Sequence, residues 1–456
     1  MNRWIWPGSV LGAVAVATVA ASLVGAQTVP ETPFAATETR ASVVCPGFES
    51  ATATVRIAAA AASPSLRTAK VTDPAAASDA GNFRVVDHPG APLRVSALLP
   101  DPFGGSTSVS AEAGPDRGLS ASICASASTG HWFTGADIRA AAQSEVVVAN
   151  LDETSASVDL TVYGENGKLA APRGIEVEGN SVQTISLGTL DRSTGPITVE
   201  VSSGDGRVAA FVRQRTWMVD VPLGADWLPE STAPATDLVV PGVPSGSGER
   251  SLVVTNPGDL TATVDLGTLT TSGPGQLAGA EQVEVPPQST RVVDLQVGLD
   301  GQPGAIILHS TQPVAAGMWL DAGGNDARHD PAYTASTTPL PPDSLWPLAL
   351  GKAATTVLQL ANPGDTDATV ALTLGSGSDA GTDQQVTVPS GSTLEVPLVR
   401  ADTNLVRVRT QASALRGALV ATATLGKVKG LTVVDLAADD SHGGVAPVVF
   451  DPHAGS

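Results

Sequence analysis

Residues 252–266 read LVVTNPGDLTATVDL, and this stretch decides the fold class. Apolar and polar residues alternate on both sides of a short turn, as they do in half-buried β-strands. In the turn, Pro257 presets the φ angle of the second position and Gly258 accepts the positive φ of the third. The stretch therefore predicts two consecutive strands joined by a tight turn.

The same pattern recurs along the chain at a constant period. Residues 145–162 read EVVVANLDETSASVDLTV and residues 357–374 read VLQLANPGDTDATVALTL, so Asn150, Asn256 and Asn362 stand 106 residues apart. One further step back, residues 42–57 read SVVCPGFESATATVRI, with Cys45 in the place of the asparagine. A recurrent period of this length indicates repeated structural units. The spacing predicts four copies of one plan, of which the first is divergent.

Each copy is typical of an immunoglobulin-like β-sandwich, because short alternating runs are separated by turn residues about every 8–12 positions. We expect an all-β chain with four tandem immunoglobulin-like β-sandwich domains, at residues 27–135, 136–230, 231–333 and 334–437, and an irregular tail at 438–456. Residues 231–249 and 334–347 are rich in Pro, Ser and Thr, which favours semi-rigid linkers. Such linkers would give an elongated string of domains.

The N-terminal residues 1–26 predict export. An apolar, small-residue run extends from Val10 to Ala26 and ends in a small-x-small pattern that a signal peptidase accepts. The run is long for a signal-peptide core and short for a bilayer span, which needs about 20 residues. Cleavage after Ala26, retention as a membrane anchor and a buried N-terminal helix are the alternatives, and the lack of a polar face disfavours the helix.

Two cysteines, Cys45 and Cys124, occur in the chain. In an oxidising compartment an isolated pair favours a disulfide, which would link the ends of the first copy. The alternative is two buried free thiols.

The charge of the chain limits its partners. Its formal net charge is −20, and its Lys and Arg residues are not clustered. Nucleic-acid binding and electrostatic docking on anionic lipid both need clustered basic residues, so we expect neither. The scattered acidic residues favour solubility.

Sequence motifs for catalysis are not found, so we expect no enzyme activity. The stretch richest in chemically active residues is 321–333, where Asp321, Asn325, Asp326 and Asp330 could offer oxygens to Ca²⁺. The spacing departs from the calcium-loop pattern and lacks its distal Glu. The alternative is a solvated loop without a ligand, and we expect no other cofactor.

Three tryptophans, Trp132, Trp217 and Trp319, are candidates for stacking against sugar rings. Their positions near the ends of the copies, like that of Trp346, also fit packing at domain junctions. An exposed row of these rings on one sheet would favour carbohydrate binding, whereas buried rings would favour the junction.

Several of these features together resemble an actinobacterial secreted protein family of unknown function. They are the export segment, Val44-Cys45-Pro46-Gly47, Cys124 followed by His131-Trp132-Phe133-Thr134-Gly135-Ala136, and the recurrent Asn-Pro-Gly-Asp turns. The resemblance implies a location in the cell envelope and no assigned activity.

The sequence thus favours a non-enzymatic, extracytoplasmic scaffold that is secreted or anchored by its N-terminal segment and binds an envelope protein. Exposed edge strands of β-sandwiches are suited to such contacts. A carbohydrate- or peptidoglycan-binding array is the second hypothesis, with cell-wall glycan as the partner. A glycan hydrolase with two carboxylates is the third.

Overall fold

The computed structural model describes residues 40–47, 50, 52–60, 66–98, 102–190, 195–323, 329–348, 350, 354–375, 381–398 and 404–437. The predicted export segment 1–26 and tail 438–456 lie outside these residues. From Arg40 onward the chain forms one compact unit. About 66% of the described residues are in strands and 2% are in helices, which confirms the all-β prediction. Within the described residues, no helix has the length and apolarity that a membrane crossing needs.

The first repeat spans residues 40–126 and pairs its strands in two sheets, ordered β4-β3-β6-β1-β9 and β5-β2-β7-β8. Its strands are β1 (Arg40–Cys45), β2 (Thr54–Ala59), β3 (Leu66–Lys70), β4 (Asp73–Gly81), β5 (Phe83–Asp87), β6 (Leu93–Leu98), β7 (Phe103–Ala111), β8 (Gly118–Ile123) and β9 (Ala125–Ser126).

The second repeat has the same arrangement, with sheets ordered β10-β16-β12-β13 and β15-β11-β17-β18, and β14 paired to β12. Its strands are β10 (Gly130–Ala136), β11 (Ala142–Asn150), β12 (Ala156–Gly164), β13 (Gly167–Leu169), β14 (Ile175–Val177), β15 (Ser181–Ser186), β16 (Ile197–Asp205), β17 (Val208–Met218) and β18 (Val221–Leu228), with a 3-10 turn at Leu187–Thr189. A core of Val, Leu and Ile side chains from both sheets lies between them.

In the third repeat one long strand, β25, runs through both sheets, pairing first with β19 and β21 and then with β20 and β26. The elements are β19 (Ala235–Val243), β20 (Arg250–Asn256), β21 (Ala262–Thr270), β22 (Gly273–Gln276), β23 (Gln282–Val285), β24 (Ser289–Asp294), the short helix α1 (Gln296–Leu299), β25 (Gly304–Asp321) and β26 (Pro331–Ala335).

The fourth repeat returns to two separate sheets, ordered β27-β32-β29-β30 and β31-β28-β33-β34. Its strands are β27 (Asp343–Pro347), β28 (Thr355–Asn362), β29 (Ala368–Gly375), β30 (Thr382–Val388), β31 (Ser392–Pro397), β32 (Leu405–Thr410), β33 (Arg416–Leu425) and β34 (Val428–Leu436). Two-sheet organisation therefore recurs four times, whereas the immunoglobulin-like class and the domain boundaries stay predictions.

Two strands of each repeat make most of its contacts with the others. We call β1, β10, β19 and β27 the lead strands, and β8, β18, β26 and β34 the last strands. The last strand β8 contacts β18 and β34, and β26 contacts the same two strands, so the four last strands meet in a closed ring. The lead strand of each repeat packs on the following repeat: β10 on β20 and β25, β19 on β28 and β33, and β27 on β2 and β7 of the first repeat.

The fourth repeat is thereby joined to the first. Arg56 donates hydrogen bonds to the carbonyls of Leu348 and Leu350, and the Ser106 hydroxyl donates to the carbonyl of Pro347 at 2.6 Å. The prediction of an elongated string of domains was therefore wrong. The segment that was interpreted as a linker contains strand β19. Its Pro- and Ser-rich composition obscures the apolar run Leu238–Val240, which is buried in that strand.

The alignment of the first repeat also differs from the prediction. Strand β2 pairs with β5 and β7 in the same way as β11 pairs with β15 and β17. Ala59, which pairs with Phe103, is therefore equivalent to Asn150, which pairs with Val208. Cys45 instead ends the lead strand β1. The interpretation that Cys-Pro-Gly replaces Asn-Pro-Gly was therefore wrong. The Val-Val and Pro-Gly residues around Cys45 correspond to Val239-Val240-Pro241-Gly242, near the end of the lead strand β19.

Cys45 and Cys124 form a disulfide, as predicted. It joins the end of the lead strand β1 to the residue that follows the last strand β8. Gly105 on β7 lies against both sulfur atoms, and a Cβ at this position would come within 2.5 Å of the Cys124 Sγ. The absence of a side chain at Gly105 therefore makes room for the disulfide.

Candidate functional site

The four last strands bring one equivalent position of each repeat to the centre of the ring. The positions are matched through the pairing of each last strand with the strand that precedes it in sequence. They are Gly118, Gly224, Asp330 and Gly430. A Cβ at Gly118 or Gly224 would overlap the carboxylate of Asp330. The third repeat thus supplies a side chain that occupies space left by glycines of the first and second repeats. We call these four residues together with Asp226 and Asp435 the central junction.

The carboxylate of Asp330 links three repeats. Its Oδ2 accepts hydrogen bonds from the backbone N–H groups of Leu119 at 2.8 Å and Leu431 at 3.0 Å. Complete burial raises the pKa of Asp330 well above its usual range, and the nearby charge of Asp226 raises it further, against the lowering effect of the two N–H donors and Arg117.

Asp226 makes an equivalent set of bonds from the second repeat. Its Oδ1 accepts from the N–H of Ala121 at 3.1 Å and of Trp227 at 2.9 Å, and its Oδ2 accepts from the Thr432 hydroxyl at 3.0 Å. Burial is the main cause that raises the pKa of Asp226 well above its usual range.

Asp435 joins the fourth repeat to the third. Its Oδ2 accepts from the Ala335 N–H at 2.7 Å, and its Oδ1 lies 2.8 Å from the Thr334 hydroxyl. That hydroxyl also lies 2.6 Å from the Pro241 carbonyl, and it has one proton for two acceptors. A protonated Asp435 would donate to Thr334 and satisfy both, which agrees with burial raising the pKa of Asp435 to about 7.

A cleft opens at one end of the junction, where the chain leaves each of the four last strands. This axial cleft has a volume of about 260 Å³. Its walls include the rings of Phe133, Phe211 and Trp227. The chain exits that line it are Cys124–Ser126 after β8, 229–233 after β18, 336–338 after β26, and Ala437 after β34.

His131 is a buried titratable residue in the wall of the axial cleft. The imidazole is 1% exposed, with Nδ1 2.9 Å from the Glu230 carboxylate and Nε2 2.7 Å from the Val208 carbonyl. Burial lowers the pKa of His131, but the hydrogen bond and charge of Glu230, together with the Val208 carbonyl, outweigh it and raise that pKa overall. Both ring nitrogens face acceptors, which is the arrangement that an imidazolium needs.

The candidate calcium ligands do not share a site in the described residues. Oδ1 of Asp321 accepts from the N–H groups of Glu249 and Gly323, and its Oδ2 lies 2.8 Å from His329 Nδ1. The carboxylate of Asp330 accepts hydrogen bonds within the central junction. Asn325 and Asp326 lie outside the described residues. In the part of the chain that the structure describes, no three His, Cys, Asp or Glu side chains come together as a metal site would require.

The three candidate tryptophans lie in different sheets and are each half-buried. Trp132 stacks on Tyr163, with ring centroids 5.8 Å apart. Trp319 packs on the core of the second repeat from the third, as the junction interpretation expects, and Trp217 lies near the end of β17. These positions do not form the row on one sheet that glycan binding predicts.

An apolar hairpin tip is exposed at the end of β17 and β18. Met218 pairs with Val221, which leaves a two-residue loop at Val219 and Asp220. Val219 is 90% exposed and has a φ angle of 56°. Loops of this length that need positive φ favour Gly, Asn or Asp, and a β-branched residue there is strained. Met218 and Val221 are 40% and 41% exposed.

Sequence reasoning missed the buried carboxylates of Asp226 and Asp435 and the structural role of Asp330. A signal was present, since Gly118, Gly224 and Asp330 stand 106 residues apart, at the same period as the asparagines. A search for repeated strand patterns overlooks it because the residues at this position change from Gly to Asp.

The comparisons with known proteins agree with a chain of unassigned activity. A family model described as a family of unknown function (DUF5719) matches residues 98–437. No curated protein matches the chain.

Proposed function

The chain belongs to this family of unknown function, and we propose that it is a non-enzymatic, extracytoplasmic scaffold of the cell envelope that binds a partner protein. The disulfide between Cys45 and Cys124 supports an oxidising compartment outside the cytoplasm. Secretion or anchoring through residues 1–26 belongs to the same proposal.

The hydrogen bonds of the buried carboxylates favour a scaffold over an enzyme. Asp226, Asp330 and Asp435 each accept hydrogen bonds from backbone groups of other repeats, so their role in the fold is to join strands. A hydrolase with two carboxylates needs both groups free to approach a substrate. The ring of last strands instead uses them to hold four repeats in one arrangement.

The hairpin tip of Met218, Val219 and Val221 is the observation that carries the binding role. It places three exposed apolar side chains side by side, in a turn whose backbone is strained at Val219. Strain of about 1–3 kcal/mol persists where the surroundings impose it, and it is common at ligand-binding and switch sites. Clustered exposed apolar residues mark contact surfaces. We assign this tip as the contact with the partner protein.

The test is capture of partners from envelope fractions by the tagged full-length protein. Val219→Asp removes the apolar apex, and Val297→Asp is the matched control because Val297 is also an exposed valine, at 81%. We expect one reproducible partner that is lost at least tenfold with Val219→Asp and retained with Val297→Asp. Equal retention by both variants would show that the tip is not the contact.

Carbohydrate binding is the second candidate, favoured by the stacked pair of Trp132 and Tyr163. Lys168 lies 5.2 Å from the Tyr163 ring centroid, so the half-buried Trp132 and the buried Tyr163 adjoin a cation. Pull-down with insoluble cell-wall glycan tests it. Retention that is lost with Trp132→Ala and kept with Val219→Asp would favour the glycan over the protein partner.

A further inference from the structure

Each repeat ends one of its two sheets in an edge strand on the side away from its lead strand. The sheet that carries the lead strand continues through two further strands and then reaches β4 in the first repeat, β13 and β14 in the second, β22 and β23 in the third, and β30 in the fourth. The outer side of an edge strand presents unpaired backbone N–H and C=O groups, which can pair with another chain. These four equivalent edges can therefore be compared directly.

Three of the four edges carry features that hinder such pairing. The edge of the second repeat is divided into two strands of three residues each, and that of the third into two strands of four residues each. Strand β4 is longer, but it contains Pro74 and its pairing with β3 shifts register twice. Short strands, bulges and proline all protect sheet edges from association. A second chain would find no long regular template on any of these three edges.

Strand β30 has none of these features. Its seven residues, TDQQVTV, pair with β29 in one continuous register from Thr382 to Val388. In the part of the chain that the structure describes, no backbone–backbone hydrogen bond outside that ladder involves β30. The fourth repeat therefore presents one regular, open strand edge at the position where the other three repeats are protected.

The side chains of β30 alternate between the two faces of the sheet. Val388 is buried and Val386 packs against the core of the fourth repeat, whereas Asp383, Gln385 and Thr387 are exposed on the opposite face. A second strand that extends this sheet must join solvent face to solvent face and core face to core face. A shift by one residue would exchange the two faces, so only alternate registers are compatible with the fold.

The sequence of β30 is complementary to itself in one such register. Two identical antiparallel strands related by a two-fold axis place one residue opposite its own copy, and the midpoint of Thr382–Val388 is Gln385. Asp383 then lies opposite Thr387, whose hydroxyl can donate to the carboxylate. Asp383 is the only charged residue of the strand, so no like charges face each other. The Gln385 amide carries both a donor and an acceptor, so its two copies can bond to each other.

We infer that β30 pairs with β30 of a second copy of the chain, antiparallel and centred on Gln385, and joins two four-stranded sheets into one continuous sheet. The same surface serves both copies, so the assembly closes as a dimer. The contact lies on the fourth repeat, away from the hairpin tip of the second repeat. It therefore holds or fails independently of the proposed scaffold function.

Sedimentation equilibrium of the full-length protein tests the inference. Gln385→Lys places two like charges opposite each other and removes the amide pair, so we expect the dimer dissociation constant to rise about tenfold. Gln282→Lys is the matched control, because Gln282 is exposed on β23, in the equivalent edge of the third repeat. A parent chain that is monomeric, or equal association of the two variants, would overturn the inference.

Charge exchange tests whether Gln385 lies on the two-fold axis. Gln385→Glu alone should weaken the dimer as Gln385→Lys does, since like charges again face each other. In an equal mixture of the two variants, Lys and Glu face each other, and the dissociation constant should return to within a few-fold of the parent value. A mixture that associates no better than either variant alone would contradict the register.

A cysteine cross-link examines the same register by geometry. Gln385 and Gln384 are both exposed, but only Gln385 lies opposite its own copy, whereas Gln384 lies opposite Val386. The native cysteines are already paired with each other. After mild oxidation, we expect Gln385→Cys to give about tenfold more covalent dimer than Gln384→Cys, because a disulfide needs Cβ atoms about 3.5–4.5 Å apart. Equal yields from the two variants would count against pairing centred on Gln385.

Discussion

The first repeat and the three later repeats secure their strands by different chemistry. In the later repeats a buried asparagine ends the second strand, as Asn256 does: its Nδ2 donates to the carbonyls of Leu260 at 2.7 Å and Val285 at 3.0 Å, and its Oδ1 accepts from Gly258 N–H at 3.0 Å. Asn150 and Asn362 make the same bonds. In the first repeat the equivalent position at the end of β2 is Ala59, and a disulfide joins Cys45 to Cys124.

The difference follows from how each lead strand is attached. The lead strands β10, β19 and β27 continue from the last strand of the preceding repeat, so the ring itself limits their freedom. Strand β1 has no preceding repeat among the described residues. The disulfide between Cys45 and Cys124 links β1 to the exit of β8 and supplies the attachment that chain continuity provides in the other repeats.

Removing the disulfide should have the largest effect. With the cysteines 79 positions apart in sequence, chain-entropy reasoning puts the stabilisation at about 4 kcal/mol. We expect Cys45→Ala combined with Cys124→Ala to lower the free energy of unfolding by this amount in a urea titration. A loss below about 1 kcal/mol would show that β1 is held by its pairing to β6 alone.

Asn256→Ala should have the next largest effect, of about 3 kcal/mol, because it removes the hydrogen-bond partner of three carbonyls and one N–H. The measurement is the urea unfolding midpoint of the full chain. Leu260→Ala in the same turn is the control, since that side chain is 65% exposed and its carbonyl remains. Similar losses in both variants would assign the effect to the turn and not to the asparagine.

A third prediction connects Gly105 to the disulfide. A Cβ at this position would press on both sulfur atoms, so Gly105→Ala should destabilise the chain by about 2 kcal/mol. In the variant without the disulfide, the same change should cost much less. A double-mutant cycle measures the coupling, and a coupling energy near zero would mean that the strain comes from the neighbouring strands.

The sequence predicted the all-β class and the disulfide because both depend on local signals: alternating Val residues, turn residues such as Pro257 and Gly258, and a cysteine pair. The ring was not predicted, because it depends on which surfaces the lead strands cover. Composition around Leu238–Val240 indicated a linker, although these residues are buried against another strand. The central junction was missed for the same reason: the carboxylate of Asp330 is recognisable only once Gly118 and Gly224 lie beside it.

The smallest effect concerns Asp435, whose carboxylate joins the fourth repeat to the third. Because burial raises its pKa to about 7, the folded chain holds a proton there that the unfolded chain releases near pH 4. Stability from this group is therefore complete below pH 4 and is lost as the pH rises towards 7, by at most about 1.4 kcal/mol per pH unit.

Asp435→Asn should flatten this part of the pH profile, because the amide keeps a donor for the Thr334 hydroxyl oxygen at every pH. The measurement is the free energy of unfolding between pH 4 and 8, with Asp220→Asn at the exposed hairpin tip as the control. If both variants kept the slope of the parent chain, Asp435 would be ionised in the folded state. The fourth repeat would then be held to the third by a carboxylate that Ala335 N–H stabilises, and its attachment would not depend on pH.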